Sequence, residues 1–385
     1  MTLSISSALR AVLIDLARFD PDGDERIRSG LRMLDAADWA HLFELAATHR
    51  VLANLSRVVA AMPDAPPLSK HLARRLVIML QRQATARRWE SASAIAALTE
   101  AGVDAVALKG YVLAIECYPE FSLRETGDLD LLVAGEDVAR AAAVLEAEGF
   151  TRAQIVPATG EVEQLSAARL AGYEDELQHV GEFTRVSERG TGLTIDLHFR
   201  LSTVFDHLAP DTPVFLASAV RSPDGTYLRF SPELVVAHLG YHAWWDTQSL
   251  TNVRNGLDLR LFQYSDIQLA FRAWGLDCRS ILDEAERAGV GTTTNWALWM
   301  TCSIFGELPG SDSIDVDAAI EFDSRFSDRW LQRETSTPLG LWSVPGPERI
   351  FDANRAARAT AMVIEWIDDH TKRGDVLSWT LRGDR

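Results

Sequence analysis

The chain is short of lysine, of cysteine and of positive charge overall, and it has no long hydrophobic run. Only three lysines occur, Lys70, Lys109 and Lys372, so arginine supplies nearly all the cationic charge and each lysine is worth locating. The three cysteines, Cys117, Cys278 and Cys302, are an odd number at wide spacing, with no CxxC and no Cys/His cluster. That pattern excludes a zinc ribbon and thioredoxin-like chemistry and suits buried, reduced thiols in a cytoplasmic protein. No apolar stretch approaches the roughly 20 residues of a membrane span. The opening MTLSISSALRAVLIDLARFD has neither a charged leader nor a small-residue cleavage site, so it reads as a helix.

Across 385 residues, 38 Lys and Arg face 55 Asp and Glu, a net charge of −17. Such a surface repels phosphate backbones and anionic membranes. Nucleic acid is therefore disfavoured as a partner, leaving room for a tRNA end held by a few arginines, and no membrane partner is expected. Hydrophobic residues at 47% and charged residues at 24% are enough to build an ordinary core, so no disulfide or metal staple is required.

Residues 1–101 read as a helical N-terminal region, with apolar residues at helical spacing in Leu42, Leu45, Ala46, Leu52 and Leu55. Pro63, Pro66 and Pro67 divide a first helical hairpin from a long helix over about residues 69–101, and Asp35 and Asp38 mark a helix start before Trp39. The pattern changes at Gly102. Val103 to Leu108 is a short apolar strand, Lys109-Gly110 a turn, and a helix then runs to Tyr118, where Pro119 ends it. Leu129 to Val133 reads as a strand and residues 136–148 as a helix closed by Gly149. This alternation predicts an α/β (α+β) core with a small mixed sheet over 102–205. Within it, residues 151–192 are polar and mixed, with a hairpin closing at Gly190-Thr191-Gly192, and Leu193 to Leu201 is the clearest strand. Residues 206–385 form the expected C-terminal domain, helical from Ser231, irregular over 306–350, with a last helix over about 351–372.

The chemistry concentrates in Asp128-Leu129-Asp130. Side chains two apart on a strand share a face, so the two carboxylates project together while Leu129 and Leu131 enter the core. Adjacent carboxylates repel, and either a raised pKa or a shared divalent cation relieves them. Hard oxygen ligands supplied by few protein groups suit Mg²⁺, or Mn²⁺ in its place. In the strand from Leu193 to Arg200, Thr194, Asp196, His198 and Arg200 line one face. If the two strands are neighbours, Asp196 completes a triad able to hold two metals about 4 Å apart. A lone DxD is often a solvated strand edge. The Lys109-Gly110 turn, Arg124 and the second inward aspartate together favour a site. His238 and His242 stand at i, i+4, a spacing that can bind zinc, but neither a HExxH glutamate nor a third ligand accompanies them, so they read as core or pocket histidines. Trp244, Trp245, Trp274, Trp296 and Trp299 read as core, with one or two able to wall a pocket.

The order of these motifs resembles the DNA polymerase beta-like nucleotidyltransferase superfamily, and within it a bacterial branch of uncharacterised nucleotidyltransferases. The likeness covers most of residues 35–290. Trp39, His49-Arg50, Leu108-Lys109-Gly110, Tyr118-Pro119, Arg124, Asp128-Leu129-Asp130-Leu131-Leu132-Val133 and Asp196-Leu197-His198 carry it, with His242 and Asp266 in the helical tail. The resemblance implies a nucleotidyltransferase core that moves a nucleoside monophosphate from an NTP, ATP being the favoured donor, to a hydroxyl on a small molecule, peptide or protein. Pyrophosphate would be released. It implies that Asp128, Asp130 and Asp196 hold the metals and act as the catalytic carboxylates, Asp196 helping to deprotonate the acceptor. Lys109 and Arg124 would neutralise the triphosphate, and Gly110 would let backbone N–H groups approach it. His198 and His242 are candidates for the substrate pocket. The superfamily's Gly-Ser shortly before the DxD is absent here, which leaves Ser122 or Thr126 as a substitute phosphate contact. Two alternatives stand beside this reading: kinase-like phosphoryl transfer at the same site, and an inactive homologue that binds nucleotide or a partner.

Overall fold

Several helices in this protein begin where a side chain can hold the first N–H groups. In the computed structural model, which describes residues 5–155, 161–166, 179–186, 192–202, 208–326, 338–352 and 354–372, Ser6 accepts the Leu9 N–H at 3.1 Å and starts Ser7–Arg18. Asp35 accepts the Asp38 N–H at 2.8 Å and starts Ala36–Thr48. Such caps satisfy donors that the helix itself leaves open. Pro67 opens the longest helix, Pro67–Glu100, at a position where a missing N–H does no harm.

The sheet has eight strands: β1 (Val106–Ala107), β2 (Leu129–Leu132), β3 (Thr151–Ile155), β4 (Val162–Gln164), β5 (His179–Val186), β6 (Gly192–His198), β7 (Val220–Arg221) and β8 (Leu228–Arg229), in the order β4-β3-β5-β6-β2-β1-β8-β7. β2 runs parallel to β6 and β1 parallel to β8, while the remaining pairs are antiparallel. This is the mixed sheet of an α/β protein with helical flanks, larger than the small sheet expected.

The sheet separates two hydrophobic cores. Leu129, Leu131, Ile195 and Leu197 bury one face against Ala141 and Leu145 of the helix Val138–Ala147 and against Ile95 and Leu98 of Pro67–Glu100. Val106, Leu108 and Leu132 face the opposite way, into the core built by the N- and C-terminal helices. Period-2 alternation therefore aims Asp130 at the helical layer rather than at solvent.

Several boundaries differ from the sequence reading. The strand expected to reach Leu201 ends at His198. β7, β8 and the short helix Thr212–Ala217 lie between residue 205 and Ser231, while the helix expected from Ser231 is present as Pro232–Thr247, capped by Ser231. Strands of two residues are too short to display any periodicity, so pairing alone reveals them. The irregular 306–350 segment holds a helix, Val316–Ser324, and a two-stranded ladder of Arg325–Phe326 with Gly340–Leu341. β5 pairs with β6 as the expected hairpin requires, but Gly190 and Thr191 at its tip lie outside the described residues. No described helix is long and apolar enough to cross a membrane.

Candidate active site

Parallel pairing of β2 with β6 sets Asp130 opposite Asp196 and Leu132 opposite His198. One ligand atom from each of Asp130, Asp196 and His198 lies within 4.8 Å of the others. His198 Nε2 stands 3.0 Å from Asp130 Oδ1, and Lys109 Nζ donates to the same oxygen at 3.1 Å. His198 thus orients Asp130 on the adjacent strand, not Asp196 on its own. Burial opposes ionisation of Asp130, but Lys109 and His198 outweigh it and hold the carboxyl well below its ordinary range. Burial first, then Asp128 and Asp130, push Asp196 well above it. Asp128 lines the same cleft just before β2. Its surroundings and the Asp130 charge raise its carboxyl, against Lys109 and Arg50, which lower it, and the residue itself is exposed to the cleft.

The sequence reading missed Glu182, which β5 places opposite Asp196, so carboxylates occupy one row on three adjacent strands. Only strand register could reveal that row, because residues 151–192 show no clean alternation.

The donor set fits a divalent cation. Asp196 Oδ1 is buried and has no hydrogen-bond partner. An orphaned carboxylate oxygen in a low-dielectric site is costly, and a cation shared with Asp130 would satisfy it. Two hard oxygen ligands beside an open cleft are the chemistry such an ion takes.

Lys109 reaches Asp130 from the turn between β1 and the helix Lys109–Glu116, with φ at 44°, in the left-handed region. That conformation costs a residue with a side chain about 1–2 kcal/mol. The Leu108 N–H, bonded to Asp130 O at 3.0 Å, helps to pin the turn. A Cβ on Gly110 would meet Thr126 Cγ2 at 3.2 Å and Arg124 Nη2 at 3.6 Å, so a bare backbone lets the turn pack on the 124–127 loop. Arg87 holds that loop by donating to Thr126 O. Thr126 lines the cleft, whereas Ser122 lines a separate groove with Ala53 and Arg57.

Across a cleft of about 300 Å³ stands a helical wall that includes Arg50, Arg124, His242, Asp246, Arg260 and Phe262. Arg124 is buried, and it pairs with Asp266 rather than with the Glu120 or Glu125 side chains: Nε–Oδ1 and Nη2–Oδ2 are both 2.8 Å, and Nη1 donates to Glu125 O at 2.7 Å. Asp266 also accepts from Tyr118 at 2.7 Å. Much of the Arg124 donor set is therefore engaged, and the pair ties the helix Leu261–Trp274 to the site loop.

The two histidines of Pro232–Thr247 part company. His242 faces the cleft beside Asp246, its pKa depressed by burial and by Lys109. His238 packs against Phe215 and Phe230, with centroids at 6.0 and 5.8 Å. Among the described residues no tryptophan lines this cleft, and Phe262 is its phenyl ring. Arg50 was quoted in the motif pattern without a role, and Arg260, Phe262 and Gln263 were missed. No local sequence signal marks them: the bond by which Gln263 accepts the Arg260 N–H at 2.7 Å at the start of Leu261–Trp274 is visible only in the folded chain.

Carboxylates converging from neighbouring parallel strands of a mixed sheet form a group able to hold a metal, an arrangement in keeping with the nucleotidyltransferase class. More particularly, a family model described as "Uncharacterised nucleotidyltransferase" matches residues 35–306, and the chain belongs to that family. Comparison with curated proteins and with solved structures gives no match.

Proposed function

We propose that the protein is a Mg²⁺-dependent nucleotidyltransferase acting in the cytoplasm, with ATP the favoured donor and a small molecule, peptide or protein as hydroxyl acceptor. The observation that carries this reading is the buried, unpartnered Asp196 Oδ1 beside Asp130 in an open cleft. Asp128, Asp130 and Asp196 would hold the metal, which when bound polarises the phosphate and offsets charge developing on it. Lys109 fixes Asp130 by its hydrogen bond and lends a cation to the triphosphate side of the cleft. Gly110 and the first N–H groups of Lys109–Glu116 offer that side an anion-attracting backbone. Asp196, which borders the cleft beside Asp130, is suited to take the acceptor proton. A bond forms from the acceptor oxygen to the α-phosphorus, the bond to pyrophosphate breaks, and the proton passes to Asp196. Neutral His242 can hydrogen-bond a substrate within the cleft, and Thr126 is the hydroxyl placed to contact phosphate.

The test uses each NTP labelled at the α- or the γ-phosphate, with Mg²⁺ and cell extract as the acceptor pool. The α-label should pass to an acceptor from one NTP, with pyrophosphate released, and Asp130→Asn should abolish the transfer. Transfer of the γ-label would instead establish a kinase, and binding without transfer an inactive homologue.

A further inference from the structure

Three guanidinium groups converge on one ring. The Cζ atoms of Arg50, Arg124 and Arg260 lie 5.0, 4.6 and 4.8 Å from the Phe262 centroid. Like charges gathered this closely need counter-charge, and among the described residues only two of the three have a carboxylate at ion-pair distance, Asp128 and Glu125 acting on Arg50 from further off. Arg124 is paired with Asp266 at 2.8 Å and Arg260 with Asp246 at 3.5 Å. Arg50 has no carboxylate within ion-pair distance among the described residues. Arg260 is buried, and its Nε has no hydrogen-bond partner. The wall thus carries a guanidinium without a direct ion pair and an idle buried donor, both beside the cleft.

The backbone fixes this arrangement. Arg50 has φ at 53°, and among described non-glycine residues only Phe19 and Lys109 share the left-handed region. Two of these three therefore deliver a cation to the cleft. Strain of this kind persists only where surrounding structure imposes it. Here the Val51 N–H bonds Ala46 O at 2.8 Å, and the Phe262 N–H bonds His49 O at 3.3 Å, locking the end of Ala36–Thr48 to the start of Leu261–Trp274 within the same wall. Burial first, then Arg260 and Arg124, push the Arg50 pKa down to about 10, against Asp128 and Glu125, which raise it.

We infer that Arg50 and Arg260, backed by Phe262, form a subsite for an oxyanion of the acceptor, a carboxylate or phosphate, distinct from the triphosphate. This rests on the nucleotidyl-transfer reading. The acceptor is then an acid bearing a hydroxyl. The triphosphate belongs with the carboxylates, Lys109 and the Lys109–Glu116 turn on the sheet side, whereas Arg50 and Arg260 come from the helical side. Guanidinium forks match carboxylate and phosphate geometry, which a neutral acceptor would leave unmet.

The test is calorimetric titration of the full chain, saturated with Mg²⁺ and an α,β-methylene NTP, with inorganic phosphate and with a small hydroxy acid. Wild type should bind one of them. Arg50→Gln should weaken that binding at least about tenfold, as loss of a charge-assisted contact implies, with Mg²⁺-nucleotide affinity within about twofold. Arg50→Lys, which keeps the charge, should fall between and guards against a folding defect. Equal loss of nucleotide affinity in Arg50→Gln would assign the wall to the triphosphate and overturn the inference. So would oxyanion binding indifferent to Arg50, or none in wild type. Arg50-dependent phosphate binding in a protein that binds no nucleotide would instead sustain the subsite and overturn the transferase reading.

Discussion

Asp130 and Asp196 face each other across two parallel strands, yet their carboxyls shift in opposite directions, Asp130 well down and Asp196 well up. Lys109 and His198 both bond Asp130 Oδ1, while Asp196 Oδ1 is left with no partner. The pair is polarised before any ligand arrives. One carboxylate is held charged by the protein, and the other keeps an oxygen without a partner.

The two asparagine variants should therefore differ in stability although both lose function. Asp196→Asn removes a like-charge clash and should raise metal-free stability by about 1 kcal/mol. Asp130→Asn strands the Lys109 ammonium and should lower it by about 3 kcal/mol. Both should cost transfer activity roughly 1000-fold, as expected for losing several kcal/mol of metal assistance. Urea denaturation with and without Mg²⁺ checks this; equal shifts in the two variants would contradict it.

The left-handed conformation at Lys109 separates its side chain's role from its backbone's. Lys109→Gly relieves the strain and Lys109→Ala does not, so the glycine variant should be more stable by about 1 kcal/mol. Neither should retain activity, since both lose the Nζ contact to Asp130. Chemical denaturation of the two proteins side by side measures the difference.

The Arg124–Asp266 pair is almost fully buried, at 6% and 1% side-chain exposure. Removing either partner leaves an uncompensated charge, so Arg124→Ala or Asp266→Ala should each cost about 3–5 kcal/mol. In a double-mutant cycle the second substitution should add little. Full additivity would show that the pair does not couple the site loop to Leu261–Trp274.

Acid should destabilise the fold through buried neutral histidines. Burial holds His49 and His238 at pKa values of about 3, against about 6.5 in an unfolded chain. Below that unfolded value only the unfolded state takes up the protons, so stability is lost as pH falls from about 6.5 toward 3, by up to about 1.4 kcal/mol per unit per histidine. His238→Leu should flatten the slope of unfolding free energy between pH 6 and pH 4, an interval inside that window. An unchanged slope would mean that His238 is not held neutral.

Much of the sheet side was legible because its signals are local. Asp128, Asp130, Asp196 and His198 stand at period-2 spacing in short strands, and Lys109-Gly110 follows an apolar run. The helical wall was not legible. Arg50, Arg260 and Phe262 come from helix ends far apart in sequence, and nothing local marks that they meet. Arg124 shows the same limit: its nearest acidic neighbours in sequence are Glu120 and Glu125, but the folded chain brings it Asp266 from 142 residues away. Glu182 became visible only once the β5–β6 register was fixed.

The most direct test of the central claim is Mn²⁺ binding followed by electron paramagnetic resonance, in wild type and in Asp130→Asn, with and without a non-hydrolysable NTP. Wild type should bind Mn²⁺, more tightly with nucleotide present, and Asp130→Asn should lose both. Failure of wild type to bind Mn²⁺ with any nucleotide, or undiminished binding in Asp130→Asn, would contradict a metal-dependent transfer site on these strands.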